Sequence, residues 1–128
     1  MFFSKKTKGY WAETLAVWVL RFKGYRIVAR NVLLPIGEID IIARKKRLLV
    51  FVEVKYRHNE AGLPAAVHPR QWQRIAAVAT AYVGRRPFLH DCQWRFDEIW
   101  VSATIKPSLI FFRLLFRHHQ NMWHYKSK

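Results

Sequence analysis

Apolar residues recur at helical spacing in two stretches of the chain, and the first lies near its beginning. The repeating residues there are Trp11, Leu15, Trp18 and Phe22. They predict an amphipathic helix from Trp11 to Phe22, which the turn signal Gly24 ends. The opposite face carries Ala16, Val17 and Leu20, so we expect this helix to be buried on nearly all sides. Glu13 lies among those residues, and a buried carboxylate needs a partner.

The second helical stretch follows Pro69, a residue suited to the first turn of a helix. One face carries Trp72, Ile75, Ala76, Ala79 and Tyr82. Gly84 is placed to end the pattern, which therefore predicts a helix from Pro69 to Gly84.

Four other segments are rich in β-branched and aromatic residues, which is typical of strands. They are Tyr25–Leu34, Ile36–Ala43, Leu48–Tyr56 and Trp94–Ser102. The basic run at residues 44–47 predicts a hairpin between the second and third. The first three strands are expected to be antiparallel, and the crossover through the second helix predicts that the fourth runs parallel to its neighbour. The order is α-β-β-β-α-β, an α/β fold with a mixed sheet flanked by helices.

The chain has 128 residues, which fits one domain, and we assign residues 1–104 to it. Residues 105–128 form a basic and aromatic C-terminal extension. Within it, Leu109–Phe116 is a candidate for a short helix packed on the domain, and it is far shorter than the ~20 residues that cross a membrane. The segment His58–Pro64 is expected to be an exposed loop.

Charge narrows the class of partner. Lysine and arginine number 23 against 8 aspartate and glutamate, a formal net charge of +15, while 52% of the residues are hydrophobic. Such a chain folds rather than staying disordered, and it favours a polyanion, either nucleic acid or an anionic membrane surface. The single cysteine, Cys92, fits a reducing compartment, and no export signal is evident, so we expect a cytoplasmic protein without a membrane partner.

Three of the eight acidic residues fall in the two strands of the predicted hairpin. Glu38 and Asp40 alternate with Ile39 and Ile41 in its first strand, and Glu53 lies in its second. Because side chains alternate along a strand, the two isoleucines are expected on one face and the two acids on the other. In the second strand Val50, Val52 and Val54 face one way, and Phe51, Glu53 and Lys55 the other.

The hairpin register decides which acids meet. A turn near residues 45 and 46 places Asp40 opposite Phe51 and diagonal to Glu53, roughly 7–8 Å apart at the backbone. Two carboxylates and the nearby Lys55 suit metal-assisted phosphodiester cleavage: oxygen ligands hold Mg²⁺, which generates hydroxide, and the ammonium orients water or stabilises negative charge. The alternative is a structural ion pair between Glu53 and Lys55 or a nearby arginine, with Asp40 at a turn.

These residues resemble a known group of nucleases. Gly37-Glu38-Ile39-Asp40 followed by Phe51-Val52-Glu53-Val54-Lys55 is similar to the PD-(D/E)xK nuclease superfamily, whose restriction-endonuclease-like core has the order described above. The chain resembles the YraN-like family more closely, over about Gly9 to Val101. The resemblance implies that Asp40 and Glu53 bind the metal, that Lys55 is catalytic, and that Glu13 is a further acid reaching the same site.

The family's relation to Holliday-junction resolvases implies a Mg²⁺- or Mn²⁺-dependent endonuclease that acts on structured or branched DNA. Resolvase-like relatives work as dimers, so the resemblance admits a homodimer. We assign nucleic-acid binding to the hairpin tip, beside the predicted site, and to residues near the second helix. These residues are Arg44, Lys45, Lys46, Arg47, Arg57, Arg70, Gln71 and Arg74. Gln71 stands where relatives usually have lysine, which implies a lost phosphate contact.

Two other functions fit the sequence. One is a non-catalytic nucleic-acid-binding module of the same fold, and the other is a basic partner protein of a nucleoprotein assembly that docks through its aromatic C-terminal segment.

The aromatic residues and histidines suggest where the chain packs in its core and where it contacts bases or phosphates. We expect Trp11, Trp18 and Trp72 in the core, whereas Trp123 and Tyr125 are candidates for stacking on bases or for packing on the sheet. The histidines lack a metal-ligand pattern and are expected at the surface or facing phosphates. They are His58, His68, His90, His118, His119 and His124.

Overall fold

A computed structural model of the chain describes residues 5–57, 69–102 and 116–123, with side chains for 11–56, 69–101 and 117–123. Its elements are α1 (Lys5–Phe22), β1 (Arg26–Leu34), β2 (Gly37–Lys45), β3 (Leu48–Arg57), α2 (Pro69–Gly84), β4 (Gln93–Ser102) and β5 (Phe116–Trp123). A short 3-10 helix, Pro87–Leu89, precedes β4. The predicted α-β-β-β-α-β order is confirmed, and α2 has the predicted bounds. The predicted loop His58–Pro64 and most of the candidate helix Leu109–Phe116 lie outside the described residues.

The described strands form one mixed sheet in the order β1-β2-β3-β4-β5. The pairs β1–β2 and β2–β3 are antiparallel and β3–β4 is parallel, as predicted. Strand β5 was not predicted; it pairs antiparallel with β4, from Val101 opposite Phe116 to Phe96 opposite Trp123. The middle of β5 is His118-His119-Gln120-Asn121, which lacks the alternation of apolar and polar residues that signals a strand.

Helices α1 and α2 cover opposite faces of the sheet. Phe51 of β3 packs in the core cluster that contains the apolar face of α2, whereas its neighbours Val50 and Val52 pack in the cluster that contains α1. This alternation along β3 agrees with the prediction. Trp72 of α2 is fully buried, as predicted. Among the described residues, no helix combines the length and hydropathy needed to cross a membrane.

The expectation that α1 is buried on nearly all sides is wrong. Its buried face carries Ala12, Ala16, Val17 and Leu20, whereas Trp11, Trp18 and Phe22 are 61%, 52% and 88% exposed. The sheet lies on one side of α1, and two alanines on that side allow a close approach. The aromatic residues at the predicted helical spacing therefore point away from the core.

The regular alternation of β2 is interrupted at Asp40. Ile39 packs on the α2 side of the sheet and Ile41 on the α1 side, so the expectation that they share a face is wrong. The partner position on β1 is Asn31, between the pairs Arg30–Ile41 and Val32–Ile39. Asn31 has a φ of 51°, a left-handed conformation that asparagine tolerates better than β-branched residues do. The change of face along β2 thus coincides with an irregular backbone at the facing position of β1.

Candidate active site

The register of the β2–β3 hairpin brings Asp40 and Glu53 to adjacent strand positions. Phe51 pairs with Ile42, not with Asp40 as predicted, and the described pairing ends at Ile41 opposite Val52. The turn lies at residues 46 and 47, one position later than expected, with Lys46 at a φ of 56°. Because the turn moves by one residue, every cross-strand partner moves by two. The next positions beyond the last pair are Asp40 and Glu53.

Asp40 is tied to the backbone of β3. Its Oδ2 accepts a hydrogen bond of 2.8 Å from the N–H of Val54, the residue after Glu53. Burial raises the pKa of Asp40 to about 6; the Val54 hydrogen bond opposes this shift and the negative charges of Glu53 and Glu38 add to it. The Asp40 carboxylate is thus held in place while its charged form is disfavoured at mildly acidic pH.

Glu53 and Lys55 form an ion pair that Gln71 of α2 bridges. Lys55 Nζ lies 3.1 Å from Glu53 Oε1 and donates to Gln71 Oε1 at 3.3 Å. The Gln71 amide nitrogen in turn donates to Glu53 Oε1. Burial raises the pKa of Glu53, although the nearby Lys55 ammonium lowers it. The other oxygen, Glu53 Oε2, is buried and has no hydrogen-bond partner among the described residues.

Glu13 lies on α1 and approaches the site from the other face of the sheet. With the Asn31 amide oriented to donate, its nitrogen lies 2.6 Å from Glu13 Oε1 and 3.3 Å from Oε2. Burial and the charge of Asp40 raise the pKa of Glu13 to about 7, against the opposing effect of Arg30. Glu13 is therefore coupled to Asp40 electrostatically, and Asn31 is its hydrogen-bond partner. Asn31 was missed as a site residue; its only sequence signal is a carboxamide inside a β-rich segment.

Glu98 is a further acid that the sequence analysis missed. It lies on β4 directly beside Glu53 in the parallel register, and its charge raises the pKa of Glu53. Its Oε2 accepts a hydrogen bond of 3.3 Å from Trp100 Nε1. No sequence signal could have placed Glu98 beside Glu53, because the β3–β4 register depends on how α2 crosses between the strands.

The donor set fits a metal held by two carboxylates rather than three. Among the described residues, no group of three or more His, Cys, Asp or Glu side chains is close enough to hold one ion. Mg²⁺ is commonly bound through one or two carboxylates together with water and substrate phosphates. Asp40 and Glu53 can supply that pair, and the buried, unpartnered Glu53 Oε2 is an oxygen available to a cation. With a metal bound by this pair, Glu13 would lie near it without being a third ligand.

The predicted nucleic-acid contacts fall in two places. Gln71 touches the site, and Arg70 and Arg74 are exposed on the same helix, α2. The tip residues 44–47 lie at the opposite end of the hairpin, so the expectation that they sit beside the site is wrong. Lys45 lies five positions beyond Asp40, about 17 Å along a strand. The side chain of Arg57 lies outside the described residues.

A second buried polar network, also missed, joins β4 to β5. Asp97 is fully buried and accepts hydrogen bonds from Arg95 (2.8 and 2.9 Å), His118 Nε2 (2.8 Å) and the N–H of Asn121 (2.9 Å). Burial alone would raise the pKa of Asp97, but these donors hold it below its usual range. His118 is thus a buried partner of Asp97 rather than a surface group. Trp123 packs against the α2-side core, which favours packing over base stacking.

Comparison with known proteins identifies the family. Residues 12–101 match the family described as "Uncharacterised protein family UPF0102". A UPF0102 protein of Parvibaculum lavamentivorans is 45% identical over 93 residues, covering 73% of this chain and 70% of the relative. One from Rhodopseudomonas palustris strain HaA2 is 46% identical over 99 residues, 77% of each chain, and one from Sphingopyxis alaskensis is 35% identical over 120 residues, 92% and 93%. The YraN-like resemblance is confirmed: the chain belongs to family UPF0102.

Proposed function

We propose that the protein is a Mg²⁺- or Mn²⁺-dependent endonuclease that hydrolyses phosphodiester bonds in structured or branched DNA. The observation that carries this proposal is the placement of Asp40 and Glu53 at adjacent positions of antiparallel strands, with Lys55 in contact with Glu53. Carboxylates that are partly buried side by side repel each other, and a cation bound between them would offset this repulsion.

Asp40 and Glu53 would hold the metal. When bound, the metal polarises the phosphoryl group and lowers the pKa of a water molecule. Lys55 provides a positive charge beside Glu53 that can orient water or stabilise negative charge on phosphoryl oxygens. Gln71 contacts both side chains and so fixes the direction of the Lys55 ammonium. Glu13, with a pKa of about 7, can hold or release a proton near neutral pH.

Charge and thiol chemistry support the rest of the proposal. The net charge of +15 suits DNA as the partner, and the free thiol of Cys92 suits the reducing cytoplasm. A homodimer is part of the proposal because of the resemblance to Holliday-junction resolvases.

A non-catalytic nucleic-acid-binding module is the second candidate. The Glu53–Lys55 ion pair and the hydrogen bond from Val54 to Asp40 are contacts that purely structural acids would also make. In that function, the acids stabilise the hairpin and the basic surface alone binds DNA.

A cleavage screen distinguishes the two functions. Duplex, flap, four-way junction and single-stranded DNA are incubated with the protein and Mg²⁺ or Mn²⁺, and products are resolved on denaturing gels. The proposal expects cleavage of at least one branched substrate by the wild type and none by Asp40→Asn or Glu53→Gln. Asp91→Asn, which changes an exposed acid in the turn before β4, serves as the matched control. DNA binding without cleavage of any substrate would favour the non-catalytic module.

A further inference from the structure

A basic groove lies at the hairpin-tip end of the sheet, away from the candidate active site. It has a volume of about 720 Å³ and is lined by Gly24, Arg26, Val28, Arg44, Lys45, Lys46 and Phe88. Four of these described lining residues are cationic and none is acidic. The groove opens to solvent, and its chemistry suits an extended anion rather than a small apolar ligand.

Two arginines in the groove face each other across strands. Arg26 of β1 pairs directly with Arg44 of β2, so their side chains emerge side by side. Like charges in directly opposite positions destabilise a sheet unless an anion lies between them. The Arg44 guanidinium is oriented by a hydrogen bond of 2.8 Å from its Nε to the carbonyl of Lys46. An anion bound between the two guanidinium groups would offset their repulsion.

Phe88 adds an aromatic surface to the cationic groove. Its side chain is 65% exposed, although the next residue, Leu89, is fully buried. The N–H of Leu89 donates to the carbonyl of Arg86 at 2.9 Å, and the N–H of His90 donates to that of Pro87 at 3.1 Å. The buried leucine and these hydrogen bonds fix the backbone that carries Phe88. An exposed ring on a fixed backbone beside cations is the arrangement that holds unpaired bases.

We propose that this groove binds a single-stranded segment of nucleic acid, with a base stacked on Phe88 and phosphates contacted by Arg26, Arg44 and Lys46. Duplex DNA would not use Phe88 in this way, because its bases are already stacked within the helix.

The groove and the active site lie on the α2 side of the sheet. Gln71 at the beginning of α2 touches Glu53, and Phe88 follows the end of the same helix. Lys45 lies five positions beyond Asp40 on β2, about 17 Å along the strand, which is about five nucleotides at the ~3.4 Å rise of a stacked strand. Resting on the proposed nuclease function, this spacing defines the substrate as DNA that carries an unpaired strand a few nucleotides from the cleaved bond.

Fluorescence anisotropy in EDTA tests the groove without any cleavage. The probes are a labelled oligothymidylate and a labelled blunt duplex. Stacking is worth about 1–3 kcal/mol per base, so Phe88→Ala should weaken oligothymidylate binding by about fivefold to 150-fold while changing duplex binding less than about twofold. Phe88→Leu should behave like alanine, and Phe88→Trp should retain the wild-type affinity. Phe22→Ala, which removes an 88% exposed phenylalanine from α1, is the matched control.

The salt dependence of binding tests the cationic residues of the groove. The double variant Arg44→Ala, Lys46→Ala should lower the salt dependence of oligothymidylate binding by about 1.4 in a log–log plot, since each phosphate contact on a single strand contributes ~0.7. Equal losses for Phe88→Ala and Phe22→Ala, or an equal loss on the blunt duplex, would overturn the proposal. Because all binding is measured in EDTA, a failure of the nuclease proposal appears only in the cleavage screen.

Discussion

Asp40 Oδ2 accepts a hydrogen bond of 2.8 Å from the N–H of Val54, although the two residues lie in different strands and the described strand pairing stops before them. This bond continues the contact between β2 and β3 where the backbone ladder ends. It directs one carboxylate oxygen of Asp40 toward β3, beside the residue that precedes Val54, which is Glu53.

The variant Asp40→Asn distinguishes two roles of Asp40, a metal ligand and a member of a structural ion pair. The asparagine carbonyl can still accept from Val54, and loss of a carboxylate beside Glu53 removes repulsion. In EDTA we therefore expect the free energy of unfolding at pH 8 to be unchanged or raised by up to about 3 kcal/mol, because a rise in the pKa of Asp40 from 3.8 to about 6 corresponds to that difference. Cleavage should be abolished. Thermal and urea unfolding in EDTA provide the measurement.

In the presence of metal, we expect the wild type to be more stable than Asp40→Asn. At about 100 times its dissociation constant, Mn²⁺ should stabilise the wild type by about 2.7 kcal/mol and Asp40→Asn by much less. If Asp40 were part of a structural pair, the variant would be destabilised with or without metal. That pattern, with no metal-dependent shift in the wild type, would contradict the nuclease proposal.

The acids of the site also predict a pH dependence of stability in metal-free protein. The pKa values of Asp40 and Glu13 are raised to about 6 and about 7 from ordinary values of 3.8 and 4.5. Between those limits the folded protein binds more protons than the unfolded chain, so the contribution of these groups to stability falls as pH rises. Urea unfolding in EDTA at several pH values should show a shallower fall for Glu13→Gln than for the wild type. Identical slopes would show that Glu13 titrates normally.

Gln71 positions Lys55, so Gln71→Ala should reduce turnover rather than folding. The alanine variant loses both the contact to Lys55 and the contact to Glu53. Partners of this kind typically contribute about 10- to 100-fold to metal affinity or activity. We expect a drop of that size in kcat with little change in the affinity for DNA. Gln73→Ala, two residues further along α2 and exposed, should retain full activity.

The buried pair Asp97–His118 lies outside the candidate active site, and we expect its loss to lower the stability of the fold. Asp97→Asn leaves Arg95 and His118 without their carboxylate, and breaking such a buried pair costs about 3–5 kcal/mol. The pKa of Asp97 is lowered, whereas those of the site acids are raised, so its contribution to stability changes with pH in the opposite direction. The stabilisation by Asp97 is present above pH 3.8 and is lost as the pH falls further. Urea unfolding at neutral pH checks the loss, and Asp91→Asn should leave stability within about 0.5 kcal/mol. A wild-type-like Asp97→Asn would mean that β5 does not depend on this network.

Local patterns in the sequence determined the helix α2, the strands β1 to β4 and the main residues of the candidate active site. The apolar period and the flanking Pro69 and Gly84 predicted α2 with its observed bounds, and strand propensity located β1 to β4. Asp40 and Glu53 stand out because acids are rare in this chain, and Lys55 because it shares the predicted strand face of Glu53. In the structure, Lys55 pairs with Glu53, and Asp40 accepts a hydrogen bond from the next residue, Val54. These features depend on neighbours close in sequence, which is why they are visible without coordinates.

Only the tertiary structure decided how these pieces meet. The hairpin turn lies one residue later than predicted, and Ile39 and Ile41 lie on opposite faces at the irregularity facing Asn31. Likewise, the contacts of Gln71 with Glu53 and the pairing of β5 through Asp97 join residues far apart in the chain. Register, helix orientation and edge-strand pairing follow from the packing of whole elements on one sheet. A single sequence carries no local signal for the free energy of that packing.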